Sequence, residues 1–315
     1  MAATYLHERK DFPDLLNIIE EETGILAFLV EKDYWLMHVL YGLQKQKFDF
    51  KLKGGTSLSK AYKIINRFSE DIDIYIKPDP ALGINEKSTK DSHVEKRKLF
   101  YDQLANDIKI HGIISAKRDT DFDDKYYRSG GIRLLYESFT TPVEGVKEGI
   151  LLEAGFDTVT PFKPVTISSW AYDKAVTNTK IQIIDNRAID VPCYHPAYTF
   201  VEKLQTIATK YRKEQETGEP NPNFMRQYYD VYCLLNEKMV QDFIKTEDYQ
   251  IHKKARFPKV DYEIPIAQNE AFILSNEKIK SDFAQRYKAT AALYYKGQPF
   301  FDEILERIRS FADKL

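Results

Sequence analysis

Residues 53–76, K-G-G-T-S-L-S-K-A-Y-K-I-I-N-R-F-S-E-D-I-D-I-Y-I, constrain the fold more than any other stretch of this chain. Two adjacent glycines lead into a helix-like run, after which Asp71 and Asp73 alternate with Ile72, Ile74 and Ile76. Successive side chains of a strand point to opposite faces, so Asp71, Asp73 and Tyr75 share one face and the isoleucines the other. The isoleucine face belongs in a core. Carboxylates held side by side repel, and each raises the other's pKa unless a positive group lies between them. A hard divalent cation with oxygen ligands, Mg²⁺ above all, meets that need. Taken alone, D-x-D also describes an edge strand with a solvated acidic face.

The upstream residues narrow the choice. Gly54 and Gly55 follow a candidate strand over 48–52 and precede a helix expected over 57–65. Backbone N–H groups around Gly54, Gly55, Thr56 and Ser57 are then placed to face an anion, with the helix dipole behind them. A tight glycine turn needs no ligand. Strand, Gly-Gly-Thr, helix and an acidic strand in that order nevertheless set a phosphate cradle beside a cation cradle, the pair that triphosphate chemistry requires.

Apolar spacing predicts two helices over 14–46 with a break at Thr23-Gly24, a loop over 77–92 and a polar helix over 93–110. Segments 113–118, 131–139, 149–159, 164–168 and 179–184 are rich in β-branched and aromatic residues and read as strands of one sheet. From Ala197 the pattern is helical almost to Leu315, interrupted by the loop K-E-Q-E-T-G-E-P-N-P-N and a looser stretch at A-R-F-P-K-V-D-Y-E-I-P. An α+β domain over 1–195 and a helical domain over 196–315 follow, and 315 residues exceed what one core usually serves.

Composition sets the remaining limits. With 43% hydrophobic and 30% charged residues the chain has both core and surface, and a net charge of −2 excludes coating nucleic acid by bulk positive charge. Two cysteines are too few for a disulfide framework. The first residues carry charge where a signal peptide needs an apolar core, and no apolar run reaches membrane-spanning length, so a cytoplasmic protein is expected. The six histidines lack metal-type spacing. Lys96–Lys98 and the run 252–256, with Tyr101 and Phe257 nearby, are candidate RNA-backbone contacts, although charge runs are commonly solvated faces.

K-G-G-T-S-L-S-K-A-Y followed by R-F-S-E-D-I-D-I resembles the nucleotidyltransferases of the AbiEii/AbiGii toxin group, to which the mycobacterial MenT toxins are related, within the DNA polymerase β-like superfamily. V-E-K-D-Y-W-L at Val30–Leu36, E-K-L-Q-T-I-A at Glu202–Ala208 and R-Q-Y-Y-D-V-Y at Arg226–Tyr232 add to the likeness. The resemblance implies a polymerase β-like mixed sheet flanked by helices, with a third carboxylate on a neighbouring strand. Glu153 is the choice, Asp157 the alternative two positions further along the same face. Asp71 and Asp73 would bind two Mg²⁺ ions, one shared with Glu153, while Gly54, Gly55, Thr56 and Ser57 hold the β- and γ-phosphates. Lys60, Arg67 and Ser69 also match the family's pattern. Both cations have two readings, contact with phosphate or balance for Asp71.

The likeness further makes Lys203 a ligand of the NTP and Asp230 the group that positions it. Helical spacing puts Lys203 on the border of one apolar stripe, and Asp230 on that of the next with Arg226 one turn earlier. Without the family these are ordinary surface ion pairs of about 0–1 kcal/mol. The reaction implied is in-line attack of an acceptor hydroxyl on the α-phosphorus with loss of pyrophosphate. The family role is that of a toxin acting on RNA, most plausibly the 3′ end of tRNA, and restrained by a cognate antitoxin. The alternatives are a protein acceptor, or a nucleotide-binding protein without turnover.

Overall fold

A computed structural model describes residues 3–142, 146–157, 159–177, 182–221 and 224–315. The chain is α+β and divides into two compact units, residues 1–61 with 68–194, and residues 62–67 with 195–315.

The first unit is built on a seven-stranded mixed sheet of β1 (Phe50–Lys53), β2 (Asp71–Ile76), β3 (Ile113–Asp119), β4 (Ser129–Tyr136), β5 (Ile150–Gly155), β6 (Phe162–Ile167) and β7 (Ala188–Tyr194), in the order β3-β4-β5-β2-β1-β7-β6. Strand β2 lies at the centre, antiparallel to β1 and parallel to β5. Its burial alternates as the sequence demands: Ile72, Ile74 and Ile76 are buried, and Asp71, Asp73 and Tyr75 are half-buried. The helices of this unit are α1 (Phe12–Thr23), α2 (Ala27–Lys45), α3 (Gly54–Thr56), α4 (Asp91–Asp107) and α5 (Trp170–Ala175). Helix α1 ends where the sequence predicts, because Gly24 takes a left-handed φ of 73° and its N–H caps the Glu20 carbonyl.

Several elements depart from the sequence reading. The helix expected over 57–65 is instead the single turn α3 continued by a wider π turn over Ser57–Ala61. It stops there because residues 62–67 belong to the second unit, where Asn66 accepts from the Tyr295 N–H and its own N–H donates to Tyr229 Oη. Strand β7 lies outside the segments that the sequence reads as strands, and it runs through Pro192. Pro192 faces Pro164 across the β6–β7 ladder, and a facing pair of prolines fits where neither strand asks its partner for an N–H. The strand expected over 179–184 lies outside the described residues at 179–181, and its remainder makes only a single bridge from Ile183 to Thr4.

The second unit is helical: α6 (Pro196–Thr217), α7 (Arg226–Leu234), α8 (Lys238–Phe243), α9 (Glu247–Arg256), α10 (Lys259–Tyr262), α11 (Glu270–Ile273), α12 (Glu277–Lys288) and α13 (Phe301–Arg309). Helix α6 buries the stripe Phe200, Val201, Leu204, Ile207 and Ala208, and α7 buries Tyr228, Val231 and Leu234. The loop expected over 213–223 starts later than the sequence suggests, because α6 continues to Thr217 and is capped at Gly218, and its last two residues lie outside the described residues.

Candidate active site

In the first unit the site is written in the register of three strands. In the parallel pairing of β2 with β5, Asp73 stands directly beside Glu153 and Asp71 beside Leu151. Laterally paired residues point to the same side of a sheet, so Asp71, Asp73 and Glu153 share one face. Asp157 lies beyond the end of β5, and its exposed carboxylate is 3.9 Å from Lys53 Nζ. Lys53 itself is the β1 partner of Asp73.

The glycine turn is fitted to this face. Gly54 has a φ of 70°, and a Cβ added there would stand 2.0 Å from Asp73 Oδ2. Only glycine allows both the left-handed backbone and the carboxylate's approach. The Thr56 hydroxyl donates to the Asp71 carbonyl at 2.5 Å, pinning the turn to the start of β2. Thr56 and Ser57 are fully buried, so their side chains support the turn from inside, and Gly54 is the member of 54–57 left partly exposed. Ser69 is half-buried just before β2. Lys60 Nζ lies 2.7 Å from the buried Asp33 Oδ1 and 5.0 Å from the Trp170 ring centroid. Burial raises the Asp33 carboxyl's pKa against the opposing pull of Lys60.

One functional candidate escaped the sequence reading. Glu31, Lys32 and Asp33 sit consecutively in the apolar helix α2, and all three are buried. Glu31 accepts from Ser138 Oγ, Thr140 Oγ1 and the Phe139 N–H. Lys32 donates to the Lys147 carbonyl. Burial pulls the Lys32 ammonium down to about 8, and the nearby charges of Glu70 and Asp71 offset part of that drop. The signal was present in V-E-K-D-Y-W-L, since three consecutive charges in an apolar helix put at least one on the buried side.

In the second unit, Asp230 is wholly buried and holds two cations. Arg67 grips it with a fork, Nε to Oδ1 at 2.7 Å and Nη2 to Oδ2 at 2.6 Å, and Lys203 Nζ lies 3.0 Å from Oδ2. Lys203 also donates to Gln227 Oε1 at 2.8 Å. Burial alone would raise the Asp230 pKa, but Arg67 first and then Lys203 outweigh it and hold the carboxyl low. The surface-pair reading fails here, because Arg67 is 4% and Lys203 12% exposed at the side chain. The fork of Arg67 is spent on Asp230, a partner 163 residues away.

Within the basic runs Lys96 and Lys254 are exposed, while several of their neighbours are engaged inside the fold. Arg97 is fully buried and donates to the carbonyls of Tyr126, Asn85 and Ser88. Tyr101 and Phe257 are buried, Lys253 donates to the Leu315 carbonyl, and Arg256 lies 3.4 Å from Glu202. His7 and His38 pack in an aromatic cluster with Tyr5, Tyr34 and Trp35. Among the described residues no group of three or more His, Cys, Asp or Glu side chains converges as a metal cage. The three carboxylates share a face and supply hard oxygen donors of the type that suits Mg²⁺.

A crystal structure of an antigenic nucleotidyltransferase-like protein from Paracoccidioides brasiliensis is similar over 72% of this chain and 94% of its own, at 13% identity and a TM-score of 0.29. That likeness is too distant to carry fold or activity. No match is found among curated proteins. The sequence pattern of the family described as nucleotidyl transferase AbiEii toxin, type IV toxin–antitoxin system, matches residues 38–307, which include the glycine turn, the acidic strand, Glu153, Lys203 and Asp230. With most of its length matched, this chain belongs to the AbiEii nucleotidyltransferase toxin family.

Proposed function

We propose that the chain moves a nucleoside monophosphate from an NTP to an acceptor hydroxyl on RNA, at the 3′ end of tRNA, and acts as the toxin restrained by a cognate antitoxin. The observation that carries this reading is the placement of Glu153 beside Asp73, with Asp71 on the same face and Gly54 packed against the Asp73 carboxylate. Asp71, Asp73 and Glu153 would hold Mg²⁺. When bound, it supplies charge for the phosphates and acidifies an attacking hydroxyl. The chain's own part is positional. Thr56 fixes the turn to β2, and Gly54 offers backbone where a side chain would block approach. The backbone of Gly54, Gly55, Thr56 and Ser57, with Ser69, is assigned to the phosphates. Within the second unit Lys203, held by Asp230 and Gln227, is assigned to phosphate charge. Lys60 and Arg67 serve those assignments indirectly, through Asp33 and Asp230. An RNA acceptor places the activity in the cytoplasm, and no described helix is long and apolar enough to cross a membrane.

The test is incubation with Mg²⁺ and each labelled NTP, with protein-free RNA in one arm and RNA-free protein extract in the other. Label on RNA that disappears in Asp73→Ala, while the variant keeps its far-ultraviolet spectrum, is the expected result. Label that appears only on protein moves the acceptor. Unchanged turnover in Asp73→Ala overturns the site.

A further inference from the structure

The second unit contains a cavity of about 490 Å³ to which no role has been given. Its walls come from residues 64–66, helix α7 and the turn before α13, all within that unit. Tyr229 and Tyr232 contribute neighbouring rings, 6.5 Å apart and tilted 27°. Both are fixed from behind. Tyr229 Oη accepts the Asn66 N–H at 3.1 Å and its ring meets Tyr294 edge-on at 4.8 Å. The Tyr232 hydroxyl donates to Glu303 Oε1 at 2.9 Å.

The polar lining combines three amides with the charged side chains of Glu237 and Lys296. Asn66, Asn236 and Gln298 line the cavity, and the Gln298 amide nitrogen is anchored on the Tyr287 carbonyl at 2.8 Å. Side-chain amides both donate and accept, the pattern that reads the edge of a heterocycle, while aromatic faces accept its plane. Gly297, at a φ of 85°, has open space where a Cβ would stand, which leaves that side of the cavity clear. A flat ligand with an apolar face and a polar edge satisfies such a lining better than a peptide or a lipid chain does.

We infer that this cavity binds a nucleobase, stacked against Tyr232 and read at its edge by the amides. The inference rests on the nucleotidyl-transfer reading for the identity of its ligand. Asn66 precedes Arg67 and Tyr229 precedes Asp230, so the cavity wall and the cluster that holds Lys203 are built from consecutive residues. Base and phosphate recognition would then share two backbone segments of one unit. The base belongs either to the NTP or to the RNA end, since both present the same chemistry.

The test is equilibrium binding rather than turnover. Each NTP, ribose 5-triphosphate lacking a base, and a short single-stranded RNA are titrated against the full chain carrying Asp73→Asn, so that no transfer consumes the probe. Tyr232→Ala is compared with Tyr232→Phe, which keeps the ring, and with Asn236→Trp, which fills the cavity from an exposed position without removing packed groups. Loss of a stacking contact predicts binding about ten-fold weaker in Tyr232→Ala and Asn236→Trp, with Tyr232→Phe near the parent. A loss confined to NTPs, with base-free triphosphate unaffected, assigns the cavity to the donor base. A loss confined to RNA assigns it to the acceptor. Parental affinity of both variants for every probe overturns the inference, whatever the transfer assay shows. Conversely, a chain that never transfers but shows the base-dependent loss keeps the cavity and loses the transfer reading.

Discussion

Gly54 is held to its identity by a neighbour as much as by its own turn. A methyl group there would meet Asp73 Oδ2 at 2.0 Å, so Gly54→Ala has to displace the carboxylate or open the turn. Transfer should fall by about 100-fold or more, the scale of loss when a reacting group shifts by an ångström. The strained backbone adds about 1–2 kcal/mol of destabilisation. Parallel activity and thermal-melting measurements check both, and an active Gly54→Ala would show that Asp73 is free to move. Asp230 is the second residue at which single-atom geometry decides the outcome. Its removal leaves Arg67 and Lys203 buried without their counter-charge, so Asp230→Ala should cost about 3–5 kcal/mol in urea unfolding. Lys203→Ala leaves the Arg67 fork intact and should cost clearly less. The sequence shows Asp230 on a helix border and offers Arg226, one turn away, as its nearest cation. Its actual partner lies 163 residues off, which no helical spacing reveals.

At the level of elements, periodicity served well where one face meets the core. Helices α1, α2 and α6 and strand β2 follow their apolar spacing closely, since burial of one face is a local property that each turn or pleat repeats. It failed where tertiary contacts overrule propensity. The segment 62–67 leaves helical geometry because its backbone groups bond to Tyr229 and Tyr295, and β7 continues through Pro192, which stands opposite Pro164. Helix α2 illustrates a third case, an apolar element that buries charge. Glu31 gathers three donors from residues 138–140, so Glu31→Ala strands those groups. A loss of about 3 kcal/mol or more is expected, with faster amide exchange at Phe139 as the local readout. Unchanged exchange at Phe139 would mean that the loop is held by other contacts.

At the scale of the whole molecule, buried histidines set the acid limit of stability. Burial pushes His7 down to about 3 and His38 to about 4; neighbouring histidine charge adds to both drops, while the His111 carbonyl bonded to His38 and the charge of Glu8 oppose them. An unfolded histidine titrates near pH 6.5, so between that value and the folded ones the unfolded chain binds more protons. The stability that neutral His7 and His38 provide is thus complete above about pH 6.5 and drains away as the pH falls toward about 4. The urea midpoint should drop between about pH 7.5 and about pH 5, and His38→Gln should flatten the slope. A wild-type midpoint constant over that interval would contradict the burial of both rings.

What the sequence determined by itself is what covalent geometry repeats along the chain. The pleat places Asp71 and Asp73 on one side and the isoleucines on the other, and the spacing of apolar residues marks the long helices. The family likeness added Glu153, Lys203 and Asp230 as candidates. The tertiary structure alone decided which carboxylate stands beside Asp73, that Lys60 goes to Asp33 and Arg67 to Asp230, and that the Thr56 hydroxyl faces inward. These are choices of partner between segments up to 163 residues apart. They are settled by strand register and by the cost of burying an unpaired charge, neither of which leaves a periodic trace in the residues themselves.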